Sequence, residues 1–347
     1  MTWLPVLIRE ADRGGRPVLR LGHRQLDRYL DFVAARARRN TVLATGYDLK
    51  VFFSVVPKEP AEVTTTDVLE FITVQRGDRK VVRLADGESG LSARTIQRRL
   101  SSISGLFGFL LACDEVTANP VPRGLSNRKR SRIDRGTPLV RTPRTLPKIL
   151  EPAEVDELIA ACRRWRDRAM VEAMVLGGLR RMEVLGLRLT DLKFGERRLF
   201  VMEGKGGHQR IVPISVRFFD SVAAYLNTER PKESTTDQLF VVLKGPNRGK
   251  PLTAKGLDQL IVSARERAGL VHCTCHELRH TCFTRLREAG MSLEAIQAQA
   301  GHRSIESTRI YLHLANDWLA NEYMRASDAI DAARFADEVV AVSEGLS

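Results

Sequence analysis

From Gly22 to Leu111 apolar residues recur at three- and four-residue spacings in four stretches: "HRQLDRYLDFVAARARR", "NTVLATGYDLKVFFSVV", "TTTDVLEFITVQR" and "SARTIQRRLSSISGLFGFLLA". Each reads as an amphipathic helix, and short connections join the four into a small bundle. Asn40, Thr65 or Thr66, and Ser92 are expected N-caps of the last three. In the fourth stretch Arg94, Arg98 and Arg99 share one side, opposite Ile96, Leu100 and Ile103. An isolated helix with that pattern has a solvated basic face. Residues 114–148 break the rhythm with five prolines and the run "NRKRSRIDR", the composition of a basic linker with affinity for phosphate.

Periodicity returns at "LEPAEVDELIAACRR", where Pro152 fits the first turn of a helix. A second helix through "DRAMVEAMVLGG" is expected to stop at Gly177 and Gly178. In "RRLFVMEGKGGHQRIVPI" two β-rich runs flank a Gly-Lys-Gly-Gly turn and predict a hairpin with Lys205 at its tip. From Lys255 onward the pattern is again mostly helical. The organisation expected is an N-terminal segment 1–21, a helical domain 22–113, a linker 114–148, a mixed α/β domain 149–325 and an amphipathic C-terminal helix 326–347.

Composition narrows the function. The chain has 347 residues, 43% hydrophobic and 28% charged, as in an ordinary soluble globular protein. Its 55 Lys and Arg against 42 Asp and Glu leave a net charge of +13, which favours a polyanionic partner, nucleic acid or an anionic membrane surface. The opening "WLPVLI" is short for a secretory segment and is broken by proline, and no later apolar run approaches spanning length. Five cysteines make no disulfide framework, so a reducing cytoplasm is the expected compartment.

"CHELRHTC", residues 275–282, contains H-E-x-x-H, the helical spacing of zinc peptidases, with Cys273, Cys275 and Cys282 close by. Zinc would need a third ligand and Glu277 as base, yet Arg279 sets a permanent cation one turn from His276. No metal site is therefore expected. Read as a pair, His276 and Arg279 share a helical face and offer an imidazole and a planar guanidinium to a phosphate oxygen. Arg180 stands at a helix start with Glu183 one turn on. His302 follows a Gly301 helix stop, and Tyr311 lies nine residues later, expected on a new helix capped by Ser304.

These motifs together resemble the tyrosine recombinase family, the phage integrases and Xer-type recombinases, in its two-domain form. The match runs from about Gly22 to about Asp317: "GLRxxE" at 178–183, "GKGxxxRxVPI" at 204–214, "HxLRHT" at 276–281 and "GHxSxxSTxxY" at 301–311. Cys275 stands where the family often has proline. The resemblance implies a mainly α fold with a small β-sheet: a four-helix core-binding (SAM-like) domain, then a mixed α/β catalytic domain. It also implies that Arg94, Arg98 and Arg99 bind DNA, reversing the solvated-face reading and joining Arg128, Lys129 and Arg130 of the phosphate-seeking linker, and that the C-terminal helix, whose pattern alone reads as a helix packed in cis, instead docks on a neighbouring protomer.

For the site it implies Tyr311 as nucleophile, His276 as its base, Arg180, Arg279 and His302 on the phosphate oxygens, Lys205 as general acid and Glu183 in support. No cofactor is needed, because a phosphotyrosine stores the energy for religation. The partner implied is double-stranded DNA carrying a specific recombination site, engaged by a homo-tetramer on paired sites, with no membrane, in the cytoplasm at the nucleoid. The competing functions are a non-catalytic DNA-binding protein on the same scaffold, the zinc metalloprotease, and nicking and relaxation in the manner of type IB topoisomerases.

Overall fold

The computed structural model describes residues 4–11, 17–77, 90–122, 139–141, 147–202, 209–302, 307, 308 and 311. They belong to two compact units, Met1–Arg144 and Thr145–Ser347. The described residues are mainly helical, with one two-stranded and one three-stranded sheet.

The first unit opens with an antiparallel hairpin, β1 (Ile8–Ala11) and β2 (Pro17–Arg20), in the register Ile8↔Arg20. Helical periodicity does not reveal this element, which sits ahead of the bundle. Leu19 of β2 packs so closely on Gly46 that a Cβ there would meet Leu19 Cδ2 at 2.4 Å. The four helices are α1 (Arg24–Arg36), α2 (Arg39–Val55), α3 (Thr65–Gly77) and α4 (Ala93–Ala112).

Their apolar positions face one core. In α1 these are Leu26, Tyr29, Leu30 and Val33; in α4 they include Ile96, Leu100, Ile103, Leu106, Phe107 and Leu110. Phe52 meets Phe53 and Phe71 edge-on at centroid distances of 5.0 and 5.1 Å. Burying each such ring stabilises the fold by about 1.5–3 kcal/mol.

Ser92 caps α4, its hydroxyl accepting from the Thr95 N–H. The other expected caps move. Thr64 caps α3, because Asp67 reaches back to the Thr64 N–H at 2.8 Å while Thr64 Oγ1 accepts from the Asp67 N–H. Asn40 lies inside α2, since the short link after Arg36 starts that helix at Arg39 with Arg38 as its cap.

The second unit begins with α5 (Pro152–Ala160), with Pro152 in its first turn. Then come α6 (Trp165–Val175) and α7 (Arg181–Gly186). The sheet β3 (Leu192–Lys193), β4 (Arg198–Val201), β5 (Arg210–Pro213) is antiparallel in that order, with Val201↔Arg210 ending the second ladder. Helices α8 (Val216–Thr228), α9 (Ala254–Arg267), α10 (Cys275–Glu288) and α11 (Leu293–Ala300) follow.

Residues 169–175 of α6 are all buried, as suits a central helix, and α8 and α10 pack on it. Gly301 closes α11 in the left-handed conformation, φ 60°. Among the described residues no helix is long and apolar enough to cross a membrane. Lys205, Arg128, Lys129, Arg130, Ser304 and the expected C-terminal helix 326–347 lie outside the described residues.

Candidate active site

The site grows from the turn after α6. Gly178 has φ +65°, and a Cβ on it would lie 2.4 Å from the Phe283 ring. Its carbonyl is therefore held close to α10, where it accepts a hydrogen bond from Arg279 Nη1. Arg279 Nη2 donates to the Ala300 carbonyl at the end of α11, 2.7 Å away, and the guanidinium stacks on Phe283 at 4.8 Å. At 3% exposure Arg279 has no freedom to swing. Burial and the neighbouring charge of Arg180 lower its pKa to about 10, so it remains a cation at neutral pH.

Gly178→Ala is expected to cost about 2–4 kcal/mol, the sum of left-handed backbone strain and an overpacked ring. Gly186→Ala, where an added methyl meets open space, serves as control. Urea unfolding of the two variants checks this, and equal stabilities would refute the steric account.

Glu183 ties the cations together. Its side chain is 2% exposed and accepts from Arg180 Nη1 at 2.8 Å, from the Arg180 N–H at 2.9 Å, and from Arg210 Nη1 and Nη2 at 3.0 and 2.8 Å. Arg279 Nη1 stands 3.9 Å away. Burial alone would raise the Glu183 pKa. The hydrogen bonds and charge of Arg210, with those of Arg180, outweigh it and hold the carboxyl down at about 2. Arg210 also donates from Nε to the Gln299 carbonyl, and Gln299 Nε2 donates to the carbonyls of Gly177 and Pro213. The result is a fixed frame from β5 through α7 to α11.

Three imidazoles and a phenol complete the site. His302 Nε2 lies 3.3 Å from Arg279 Nη2, and its Nδ1 lies 3.0 Å from Thr308 Oγ1. A guanidinium can only donate, so Nε2 is the acceptor and the proton sits on Nδ1. Burial and the charges of Arg279 and Arg180 lower the His302 pKa to about 4. Tyr311 is 1% exposed, against Phe283 at 5.5 Å between centroids. Burial pushes its phenol up to about 12, partly offset by Arg279.

The Tyr311 hydroxyl lies 3.2 Å from Nδ1 of His280, and His280 Nε2 lies 2.9 Å from His276 Nε2. So the histidine that meets the phenol is His280, with His276, one helical turn earlier, behind it. Glu277 turns instead toward His272, 3.6 Å away. Among the described residues no three His, Cys, Asp or Glu side chains are grouped to hold a metal ion.

Residues 148–317 match the model of the phage integrase family. Over 321 residues the chain is 30% identical to tyrosine recombinase XerC of Oceanobacillus iheyensis, covering 87% of this chain and 96% of that protein. The chain belongs to the phage integrase family of tyrosine recombinases. Tyrosine recombinase XerD of Staphylococcus epidermidis is 28% identical over 317 residues, 86% of this chain and 96% of that protein. Two solved structures share the fold. The Tn1549 transposon integrase with transposon right end DNA has a TM-score of 0.66 at 19% identity, covering 88% of this chain and all of that one. The XerH recombinase on a palindromic difH substrate has 0.63 at 20%, covering 86% and 84%. The protein is thus an enzyme of site-specific DNA recombination.

In this recombinase Arg180, Arg279, His302, His276, Glu183 and Tyr311 are brought together in the second unit. Sequence reasoning missed His280, Arg210, Gln299 and Thr308. Two had a signal: His280 is the second histidine of "HELRH", and Arg210 is the arginine of "GKGxxxRxVPI". Thr308 stands in "GHxSxxSTxxY" without a role attached, and Gln299 has no sequence signal.

Of the expected DNA-binding residues, Arg94 is exposed on α4. Arg98, half exposed, donates to Asp48 Oδ2 at 2.5 Å. Arg99 is largely buried, with Nη1 on Gln75 Oε1 and Nε 3.8 Å from Asp48 Oδ1. Asp48 is buried, and Ser102 donates to the same carboxylate at 2.8 Å. Arg99 is thus committed to holding α2, α3 and α4 together, whereas Arg94 and the exposed part of Arg98 remain available to a phosphate.

Proposed function

We propose that the protein cuts and rejoins double-stranded DNA at a specific recombination site by making a 3′-phosphotyrosine with Tyr311. The observation that carries this is the buried phenol, within hydrogen-bond reach of an imidazole and in the electrostatic field of Arg279 and Arg180. Tyr311 Oη attacks the scissile phosphorus as the bond to O5′ breaks, so one phosphodiester is exchanged for another and no external energy is required.

The non-bridging oxygens gain charge in the five-coordinate transition state. Arg180 and Arg279 hold them by charge-assisted hydrogen bonds, and the Glu183 frame fixes both guanidiniums beforehand. An arriving phosphate replaces Arg279 as partner of His302 Nε2 and favours a proton there, turning that nitrogen into a donor. Lys205 protonates the departing oxygen. Arg94, Arg98, Arg128, Lys129 and Arg130 contact backbone phosphates, and four protomers act on two paired sites at the nucleoid.

The test is a nicked suicide substrate analysed on a denaturing gel. The unaltered protein should give a covalent adduct, with or without excess chelator, and Tyr311→Phe should give none. An adduct with Tyr311→Phe, or loss of activity to chelator with recovery on adding zinc, would overturn the proposal.

A further inference from the structure

We propose that His280 is the group that takes the proton of Tyr311, and that it passes charge on to His276 along a two-imidazole relay. The inference rests on Tyr311 being the nucleophile. Three observations converge on it. Nδ1 of His280 is the ring nitrogen beside Tyr311 Oη, at 3.2 Å. Nε2 of the same ring is 2.9 Å from Nε2 of His276, and the two rings meet edge-on at 4.3 Å. Finally, the chain runs from inside to outside, with Tyr311 buried, His280 half-buried and His276 exposed.

Hydrogen-bond capacity limits where the protons can sit, and the relay uses the tautomer with hydrogen on His280 Nε2. At 2.9 Å one of the two facing Nε2 atoms must carry hydrogen and the other a lone pair, so two imidazolium rings cannot occupy this geometry together. With hydrogen on His280 Nε2, its Nδ1 presents a lone pair to the phenol and His276 Nε2 accepts. The charged and titratable groups around His280 are His276 and Arg279 on α10, Tyr311, and Arg180 and His302 nearby. Burial, reinforced by the charges of His276 and Arg279, lowers the His280 pKa to about 4, so the ring is neutral at physiological pH.

A base so weak cannot ionise the free phenol beforehand. It accepts the proton only as the Oη–P bond forms, when the phenolic oxygen becomes far more acidic. In that step Oη–P forms, P–O5′ breaks, the Oη proton moves to His280 Nδ1, and the Nε2 proton shifts to His276 Nε2. O5′ takes its own proton from the general acid. One positive charge then rests on the outer ring, near the phosphate and solvent. Religation runs the steps backwards: the incoming 5′-hydroxyl displaces Oη, and the relay returns its proton to Tyr311.

The experiment measures single-turnover adduct formation on the suicide substrate from pH 6 to 9.5, with the full chain. His280→Gln can still hydrogen-bond the phenol but cannot accept its proton. Its rate at pH 7 should fall about a hundredfold or more, and should climb about tenfold per pH unit while the unaltered protein stays nearly flat. His276→Gln should lose less, about tenfold, and keep a flat profile.

In His280→Ala, added imidazole should restore the rate in proportion to its neutral form, which separates a missing base from a damaged fold. The relay is refuted if His280→Gln keeps the normal rate and profile, if His276→Gln alone acquires the pH slope, or if imidazole leaves a slow His280→Ala unchanged. Failure of Tyr311 as nucleophile would look different: an adduct would persist in Tyr311→Phe.

Discussion

Glu183→Gln is expected to be among the most damaging single substitutions in the second unit. The amide has the shape of the carboxylate but neither its charge nor its second acceptor oxygen, and it leaves Arg180, Arg210 and Arg279 crowded without an anion. Removing one partner of a buried ion cluster costs about 3–5 kcal/mol. The lower end is expected, because Arg180 is partly exposed and can turn toward solvent.

The sign with pH follows from the depressed pKa. Glu183 drops from its ordinary 4.5 to about 2 on folding, a contribution of about 3 kcal/mol at neutral pH. That stability is complete above about pH 4.5 and is lost as pH falls toward about 2. The deficit of Glu183→Gln in urea unfolding should therefore be largest at pH 7 and shrink toward pH 3. Adduct formation should fall as well, since the guanidiniums proposed to receive the phosphate lose their anchor. A variant within 1 kcal/mol of the unaltered protein at pH 7, or a deficit that grows in acid, would contradict the role assigned to this carboxylate.

How far the sequence foretold this arrangement depends on the range of each interaction. Ser92, Pro152 and Gly301 act within one helical turn, and the structure puts each where local chemistry predicts. Two β-rich runs on either side of a glycine-rich turn predict the β4–β5 hairpin for the same reason. Caps fail where a neighbour decides: Thr64 wins at α3 because Asp67 reaches back to it, and Asn40 loses because of the short link after Arg36.

Long-range pairing is less legible. The Arg99–Asp48 contact spans 51 positions and the Arg210–Gln299 contact 89, and no periodicity connects them. The order of His276 and His280 at the phenol is subtler. Both lie on one helical face, and which of them meets Tyr311 depends on how the tyrosine is seated against Phe283.

A substrate with sulfur in place of the bridging 5′-oxygen should separate the leaving-group side of the reaction from the nucleophile side, with the largest contrast at Lys205. An alkoxide is a strong base and needs a proton as the bond breaks, whereas a thiolate of pKa about 8.5 departs unassisted. On ordinary DNA, Lys205→Ala, Arg180→Ala and Tyr311→Phe should each lose at least about a hundredfold in adduct formation. On the sulfur substrate only Lys205→Ala should recover to near the unaltered rate.

Arg180→Ala stays impaired because the non-bridging oxygens still carry charge that needs an opposite charge, however good the leaving group. Tyr311→Phe has no oxygen to attack with. His280→Gln should also stay slow, since sulfur at the leaving position does nothing for the proton on the phenol. Adduct yields for the four variants on two substrates therefore sort the residues by the bond they serve. Equal failure of Lys205→Ala on both substrates would reduce it to a phosphate contact. Recovery of His280→Gln on sulfur would move that histidine from the phenol to the leaving oxygen, against the 3.2 Å contact that now joins it to Tyr311.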